Sequence, residues 1–226
     1  MSARTKTTNA PSADVPAERR SRRRVLALGL VLALVAAIPR PGSAGEDAAT
    51  CLQQLAHQAV ARLGDTATPT AERHAEFRAM LEQHFDVQRI TRFILGRYWR
   101  GASEADREAF RRAFVSVVSH RFLPLFEAAR EQGTTIDVGR TRPAPNRDDV
   151  VLVQSRVALP GSGQSAHVGW RIQRQEGRCR ILDVTSEGVS MVITLRSEYS
   201  SVLERNGGNV GALAERLQQV VADSTG

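Results

Sequence analysis

The spacing of apolar residues changes once along this chain, close to Gly133. Before that point apolar residues recur every three or four positions, which predicts helices; after it they alternate with polar residues, which predicts strands. Cap signals divide the helical part, residues 47–131. They predict a helix over 47–63, a second from Thr68-Pro69 with the threonine as N-cap, a third between Asp86 and Gly96, and a long fourth opened by Ser103 with Asp106 as its capping-box partner. Pro124 should kink the fourth helix or end it early, because proline lacks a backbone donor.

The alternating part, residues 134–184, predicts four strands joined by short connections. The strands are 134–138, 150–159, 166–174 and 178–184, and the turn signals between them are 146–149, 161–163 and 176–177. Connections this short favour an antiparallel meander. Helices, then a sheet, then helices over 190–222 are typical of the α+β class, with helices packed on one face of a curved four-stranded sheet.

Residues 183–199 mark the return from sheet to helix. Val184 ends the last predicted strand, Glu187-Gly188 is a turn signal, and Ser190 is a good N-cap. The helix that follows carries its apolar residues at helical spacing, namely Met191, Val192, Leu195 and Tyr199. We expect the apolar side of this helix to fold back onto the sheet and to form the wall of a cavity.

The net charge of +7 does not indicate a nucleic-acid-binding protein, because nearly all of it lies at the N-terminus. Residues 1–44 contain eight Lys or Arg and two acidic residues, so the remaining 182 residues carry a net charge of only +1. A near-neutral body has no electrostatic footprint for DNA or RNA, and no zinc-finger, helix-turn-helix or RNP signature accompanies it. We therefore expect no nucleic-acid partner.

Residues 1–44 are typical of an export signal that is cleaved after Ala44. A polar leader ends in Ser21-Arg22-Arg23-Arg24, and an apolar run of 14 residues follows over 25–38. Such a run is too short to span about 30 Å of hydrocarbon comfortably, so cleavage is favoured over a permanent anchor. The paired arginines resemble a twin-arginine signal, with the general secretory route as the alternative. Residues 45–226 then form a single exported domain in the periplasm.

Cys51 and Cys179 are the two cysteines of the chain. An oxidising compartment permits a disulfide between the first helix and the last predicted strand. We favour two buried free thiols, because a free cysteine packs as a small apolar residue. A nucleophilic role for Cys179 is disfavoured, since no motif accompanies its neighbours Arg178 and Arg180.

Three groups of residues carry a resemblance to a known family. They are Leu95-Gly96-Arg97-Tyr98-Trp99-Arg100; Ala102-Ser103-Glu104 with Phe110 and Phe114; and Asp183-Val184 with Glu187-Gly188-Val189-Ser190 and Arg196-Ser197. In this order they resemble the MlaC, or toluene-tolerance, family over residues 48–221. The resemblance implies an NTF2-like fold with additional helices and a deep apolar cavity that holds acyl chains.

The resemblance also implies a function. It implies a soluble periplasmic carrier that binds phospholipid and shuttles between an outer-membrane lipoprotein-porin complex and an inner-membrane ABC transporter complex with its substrate-binding ring. Such transport maintains the lipid asymmetry of the outer membrane. A branch of the superfamily that is associated with hopanoid loci is an alternative. We expect a monomer with no cofactor and no metal site.

Apolar residues from both parts of the chain are candidates for the lining of the cavity. They are Phe93, Ile94, Tyr98, Trp99, Phe114, Val118, Phe122, Val153, Val157, Val168, Trp170, Val189, Val192 and Leu195. Each is equally compatible with an ordinary packed core, because such stripes occur in every core. Arg196 is a candidate for binding the phosphate of the head group, since a guanidinium forks onto phosphate oxygens. A structural ion pair of Arg196 with Glu187 or Asp183 is the favoured alternative.

Two other classes of function compete with a lipid carrier. A pocket enzyme acting on a hydrophobic small molecule needs an inward acid or base with a shifted pKa. The five histidines, His57, His74, His84, His120 and His167, show no metal-ligand spacing, and the chain has no Gly-x-Ser-x-Gly motif. An envelope interaction subunit would have a closed core and no ligand. We expect a lipid carrier and not an enzyme.

Overall fold

A computed structural model describes residues 44–159, 164–175 and 178–224. Within these ranges the chain forms seven helices and five strands. In chain order they are α1 (Ala44–Leu63), α2 (Thr70–His84), α3 (Val87–Leu95), α4 (Tyr98–Gly101), α5 (Glu104–Glu131), β1 (Ile136–Ala144), β2 (Arg147–Leu159), β3 (Gln164–Gln175), β4 (Arg178–Ser186), β5 (Val189–Ser190), α6 (Met191–Arg205) and α7 (Val210–Asp223). This order confirms the α+β class. The predicted export signal lies outside the described residues, apart from Ala44, which begins α1.

The described strands form one antiparallel sheet in the order β1-β2-β3-β4-β5, so the expectation of four strands is wrong. The additional strand β5 pairs with β4, and Ser190 lies opposite Thr185. Glu187 and Gly188 between them have φ angles of 49° and 82°. Two successive positive φ angles are typical of a tight hairpin turn. The sequence shows the turn, but a two-residue strand is too short to show an alternating pattern.

The strands of the first hairpin are longer than predicted, and the turn lies at 145–146 because residues 147–149 belong to β2 and not to the predicted turn. β1 continues to Ala144, which lies opposite Arg147, and does not end at residue 138. The outer part of β1 is polar and exposed and contains Pro143, which an edge strand tolerates. Apolar alternation is therefore absent from this part of the strand. The turns predicted at 161–163 and 176–177 lie outside the described residues.

Side-chain caps fix the starts of four helices, and the sequence predicts three of them. Asp86 accepts the N–H of Arg89 (3.1 Å), Ser103 that of Asp106 (3.0 Å), Ser190 that of Ile193 (3.1 Å) and Asn209 that of Ala212 (2.9 Å). Each bond satisfies one of the backbone donors left free at a helix N-terminus. The caps at Asp86, Ser103 and Ser190 confirm the predicted starts of α3, α5 and α6.

Pro69 does not act as predicted, and Pro124 does not end its helix early. Pro69 is the N-cap residue of α2, so Thr68 does not cap that helix. Pro124 lies inside α5, which continues to Glu131, so the expected early end is wrong. Since α5 packs against α1, α2, α3 and α7, tertiary contacts outweigh the backbone hydrogen bond that proline removes.

The buried apolar residues form two separate clusters. The helix cluster draws members from α1, α2, α3, α5, α6 and α7, with Phe110 fully buried in it. The sheet cluster is smaller and consists of Ala48, Leu52, Val151, Val153, Ile172 and Ile181. Leu55 of α1 and Phe85 after α2 are half-buried and pack against both clusters. Helices and sheet therefore have separate cores that meet at these two residues.

A disulfide joins Cys51 of α1 to Cys179 of β4, with Cα atoms 6.6 Å apart. The expectation of two free thiols is therefore wrong. Cys179 also packs against the sheet cluster, so the bridge holds α1 against the sheet face that it covers. The two cysteines are 128 positions apart, which explains why no local pattern indicates the pair.

Candidate functional site

One stripe of α5 passes from buried to half-buried positions while it stays apolar. Phe110 and Phe114 lie in the helix cluster with ring centroids 6.3 Å apart. Val118 and Phe122 follow at the same spacing, but they are half-buried and pack against the cluster without belonging to it. Residues four apart share one side of a helix. Apolar surface on α5 therefore continues beyond the part that the core covers.

The inner face of the sheet shows the same change along β2 and β3. Val153 is fully buried in the sheet cluster and lies opposite Trp170, which is half-buried and packs against that cluster. Val157 and Val168 follow on the same face, because alternate strand residues share a side. Both are half-buried and belong to neither cluster. The apolar face of the sheet therefore also extends past its covered part.

Two hydrogen bonds orient Trp170. Its Nε1–H donates to the hydroxyl of Ser155 at 2.9 Å, and that hydroxyl donates to the carbonyl of Val168 at 3.1 Å. Ser155 is itself buried in β2. Because the polar edge of the indole is satisfied within the sheet, the ring presents apolar surface without an unpaired donor.

Asp183 fixes the start of α6 to the sheet. The buried carboxylate of this β4 residue accepts the hydroxyl of Ser190 at 2.7 Å and the backbone N–H of Val192 at 3.2 Å. Acceptors at a helix N-terminus are favoured by the free donors and by the helix dipole. Val192 and Leu195, further along α6, are half-buried and pack against the helix cluster. The prediction that the apolar side of α6 folds back onto the sheet is therefore wrong, because only the first turn is attached to the sheet and the apolar side chains pack on the helices.

Tyr199, in the middle of α6, anchors this helix in the helix cluster. Its ring meets that of Phe110 edge-on, with centroids 5.8 Å apart. Burial raises the pKa of the Tyr199 phenol to about 12. An apolar environment disfavours the phenolate, so Tyr199 serves here as a neutral packing residue.

The predicted lining residues fall into distinct environments. In the helix cluster, Ile94 and Phe114 are buried, and the residues that pack against the cluster are Tyr98, Trp99, Val118, Phe122, Val192 and Leu195. In the sheet cluster, Val153 is buried and Trp170 packs against it. Val157 and Val168 belong to neither cluster, and Phe93 and Val189 are exposed. Nine of these residues are half-buried. The rings of Tyr98 and Trp99 carry the guanidinium groups of Arg97 and Arg107, so the other seven suit an apolar lining best. We call Val118, Phe122, Val157, Val168, Trp170, Val192 and Leu195 the apolar margin.

Leu55 and Phe85 lie where the two clusters meet, and the sequence did not single them out. Phe85 forms an isolated bridge with Ile181 of β4, and the N–H of Asp86 donates to the Ile181 carbonyl at 3.0 Å. The junction of α2 and α3 is thereby tied to the sheet. In the sequence both residues are ordinary members of apolar stripes, and no spacing distinguishes them from other core positions.

Arg196 contacts α3 and does not form its predicted ion pair. Its Nη1 donates to the carbonyl of Phe93 at 3.0 Å, and its guanidinium carbon lies 4.7 Å from the centroid of the Phe93 ring. Glu187 instead faces His167, and Asp183 caps α6. The expected ion pair with either carboxylate is therefore wrong. Arg196 links α6 to α3.

His74 of α2 and His120 of α5 stack with ring centroids 3.8 Å apart. Burial lowers the pKa of both imidazoles; for His74 the next contributions are His120, Arg78 and Arg73, while Glu127 acts in the opposite direction. This pair lies between two helices and outside the apolar margin. Among the described residues, no group of three or more His, Cys, Asp or Glu is placed to hold a metal ion.

Two grooves on the surface of the helices contain charged side chains. One has a volume of about 510 Å³ and contains the ion pairs of Arg111 with Glu82 and Glu108. The other, of about 400 Å³, is lined by Arg89, Arg92, Phe93, Gly96, Trp99 and Arg100.

Within the described part of the chain, no helix has both the length and the apolarity needed to cross a membrane.

The fold and the candidate site together define an α+β protein whose sheet and helices both expose apolar side chains at the edges of their cores. The family model for MlaC protein matches residues 53–219, so the chain belongs to the MlaC family. Its fold is similar to that of a phospholipid-binding protein from Ralstonia solanacearum, solved in complex with a phospholipid. The TM-score is 0.66 at 18% sequence identity, over 80% of this chain and 99% of that one.

Proposed function

We propose that this protein is a phospholipid carrier that encloses acyl chains in an apolar cavity bordered by the apolar margin. Membership of the MlaC family and the phospholipid bound to the structural relative support this proposal. The observation that carries it is the continuation of apolar surface beyond both cores, on α5 at Val118 and Phe122 and on the sheet at Val157 and Val168.

The energetics of lipid in water explain why a carrier needs such a surface. Two acyl chains contain about 30 methylene groups, and exposing each one to water costs about 0.8 kcal/mol. The total, on the order of 25 kcal/mol, must be offset almost entirely by the lining of the protein. Half-buried valine, leucine and aromatic side chains supply that contact without offering polar groups to the tails.

The fold suits loading and release by a small opening movement. We propose an NTF2-like arrangement in which α6 forms one wall of the cavity and the inner face of β2 to β4 forms the opposite wall. Asp183 and Tyr199 anchor the two ends of the wall segment that carries Val192 and Leu195. The tails would enter as this wall separates from the sheet, and the head group would stay at the opening.

We further propose that the carrier works in the periplasm after removal of residues 1–44. It would receive and deliver lipid at an outer-membrane lipoprotein-porin complex and at an inner-membrane ABC transporter complex with its substrate-binding ring. The chain contains no Walker motif, so the energy for directional transport would come from the transporter. Such transport would maintain the lipid asymmetry of the outer membrane.

Analysis of co-purified lipid tests this proposal directly. The exported protein is purified without detergent and denatured, and the released lipids are extracted and identified by mass spectrometry. We expect stoichiometric phospholipid. Hopanoid in place of phospholipid would identify a different cargo but would still support the carrier function. Protein that is always free of lipid and takes none from liposomes would contradict the proposal.

A further inference from the structure

The surface formed by α3, α4 and the first turns of α6 is unusual in its charge. The groove of about 400 Å³ contains three arginines, Arg89, Arg92 and Arg100. A fourth, Arg196, lies against its Gly96 wall: a Cβ added to Gly96 would lie 2.9 Å from Arg196 Nη2. Residues 45–226 carry a net charge of only +1, so four neighbouring arginines are a local concentration of positive charge.

These four arginines have no carboxylate partner among the described residues. Arg89 donates to the side-chain oxygen of Gln173, and Arg196 donates to the carbonyl of Phe93. Arg92 and Arg100 are exposed. Other arginines nearby are paired with glutamates: Arg97 with Glu204, Arg107 with Glu104, and Arg111 with Glu82 and Glu108. The charge of the groove is therefore available to an external anion.

Large apolar side chains project from the same surface. Phe93 is 44% exposed although it lies beneath Arg196, and Ile193 is 61% exposed. Ile193 and Arg196 are three residues apart on α6 and so share a side of that helix. Val189, just before α6, is 60% exposed. Exposed apolar side chains among unpaired cations are typical of proteins that bind at a membrane interface.

We propose that this surface, which we call the α3–α6 patch, docks the protein onto an anionic phospholipid bilayer. Guanidinium groups pair with lipid phosphates through bidentate hydrogen bonds. Ile193 and Phe93 enter the boundary between head groups and acyl chains, as aliphatic and aromatic residues do at interfaces. We choose an anionic bilayer as the partner because its charge is complementary to that of the four arginines. The inference does not rest on lipid carriage, because docking needs no lipid inside the protein.

Vesicle flotation tests the α3–α6 patch. The purified protein is mixed with vesicles of phosphatidylcholine alone or of phosphatidylcholine with phosphatidylglycerol, at low and at high salt. We expect binding to the anionic vesicles only, with a loss at high salt, because salt screens exposed charges. The variant R92Q/R100Q should bind about 25-fold more weakly, since each arginine near an anionic surface contributes about fivefold.

Matched controls separate a docking face from a general charge effect. R140Q/R142Q removes the same charge from two exposed positions of β1, and it should change binding by no more than about fivefold. Ile193→Ser should weaken binding, whereas Val220→Ser, at an exposed position of α7, should not. Unfolding midpoints establish that each variant is folded.

Three results would overturn the inference. They are no binding of the wild type to anionic vesicles, equal losses in R92Q/R100Q and R140Q/R142Q, and no effect of Ile193→Ser. The first would rule out an anionic bilayer as the partner of the arginines. Lipid co-purified with R92Q/R100Q is measured in parallel and should equal that of the wild type, so failure of docking is distinguishable from failure of lipid carriage.

Discussion

The carboxylate of Asp183 accepts the backbone N–H of Val192 at 3.2 Å. This bond joins β4 to the first turn of α6, and the same carboxylate also accepts the hydroxyl of Ser190. The position of α6 relative to the sheet, and with it the position of Val192 and Leu195, therefore depends on one buried acidic residue.

Asp183→Asn should lower the free energy of unfolding by about 1–3 kcal/mol, because a buried charged acceptor is lost at a helix N-terminus. Urea denaturation followed by circular dichroism measures the change. Asp148→Asn, at an exposed position of β2, is the matched control and should change stability by less than about 0.5 kcal/mol. Equal effects of the two substitutions would show that Asp183 does not hold α6 in place.

Reduction of the disulfide between Cys51 and Cys179 should lower the free energy of unfolding by about 2–4 kcal/mol. The bridge restricts the unfolded chain and ties α1 to β4 in the folded one. Denaturation with and without a reducing agent measures the loss. The C51S/C179S variant should have the stability of the reduced wild type and should not respond to the agent. Two reactive thiols in the unreduced, denatured protein would contradict the pairing.

The stacked histidines should make stability depend on pH. Burial lowers the folded-state pKa of His74 and His120 below the ordinary value of 6.5, so the unfolded chain binds protons more readily. Stability is then complete above about pH 6.5 and falls as the pH decreases toward the folded-state values. Unfolding free energies measured between about pH 7 and about pH 5 give the slope.

Histidine substitutions show which residues cause the dependence of the unfolding free energy on pH. H74Q/H120Q should have a smaller slope than the wild type, because two groups with shifted pKa values are removed. His57→Gln, at an exposed position of α1, should keep the wild-type slope. His84 also has a pKa lowered by burial, so part of the slope should persist in the double variant. A slope that H74Q/H120Q leaves unchanged would rule out the stacked pair as its source.

Gly96→Ala should destabilise the protein by about 1–3 kcal/mol, because Gly96 has φ 53° and ψ −119°, a region that other residues rarely adopt. The added Cβ would also displace Arg196 from Phe93. A double-mutant cycle with Arg196→Ala separates the two effects, and we expect a coupling of about 0.5–1 kcal/mol. If Gly96→Ala costs the same with and without Arg196, the contact between the guanidinium and Gly96 is not present in solution.

Local signals predicted much of the fold. The caps at Asp86, Ser103 and Ser190 bind backbone groups three residues away, so the necessary partners are visible in a short window of sequence. The turn at Glu187-Gly188 is equally local. β5 was missed because its pairing with β4 depends on the turn and not on a pattern of its own. α5 continues past Pro124 because packing, and not propensity, maintains the helix at that point.

The candidate site was less predictable. Periodicity identified apolar residues but did not distinguish Phe114, inside the helix cluster, from Val118 four residues later at its edge. Burial depends on which other elements cover a residue, and that information is distributed over the whole chain. The contacts of Arg196 with Phe93 and of His74 with His120 could not be predicted either, because each joins residues that are distant in the sequence. The family resemblance favours a cavity, whereas periodicity alone is equally compatible with a packed core.

The lipid content of a variant with a larger side chain in the apolar margin tests the proposed carrier function most directly. Val157→Trp places an indole in the apolar margin, and Val220→Trp makes the same change at an exposed position of α7. Both are purified as the wild type is, confirmed as folded, and compared by native mass spectrometry. We predict phospholipid adducts on the wild type and on Val220→Trp and little on Val157→Trp. A wild type without lipid, or full occupancy of Val157→Trp, would contradict the account.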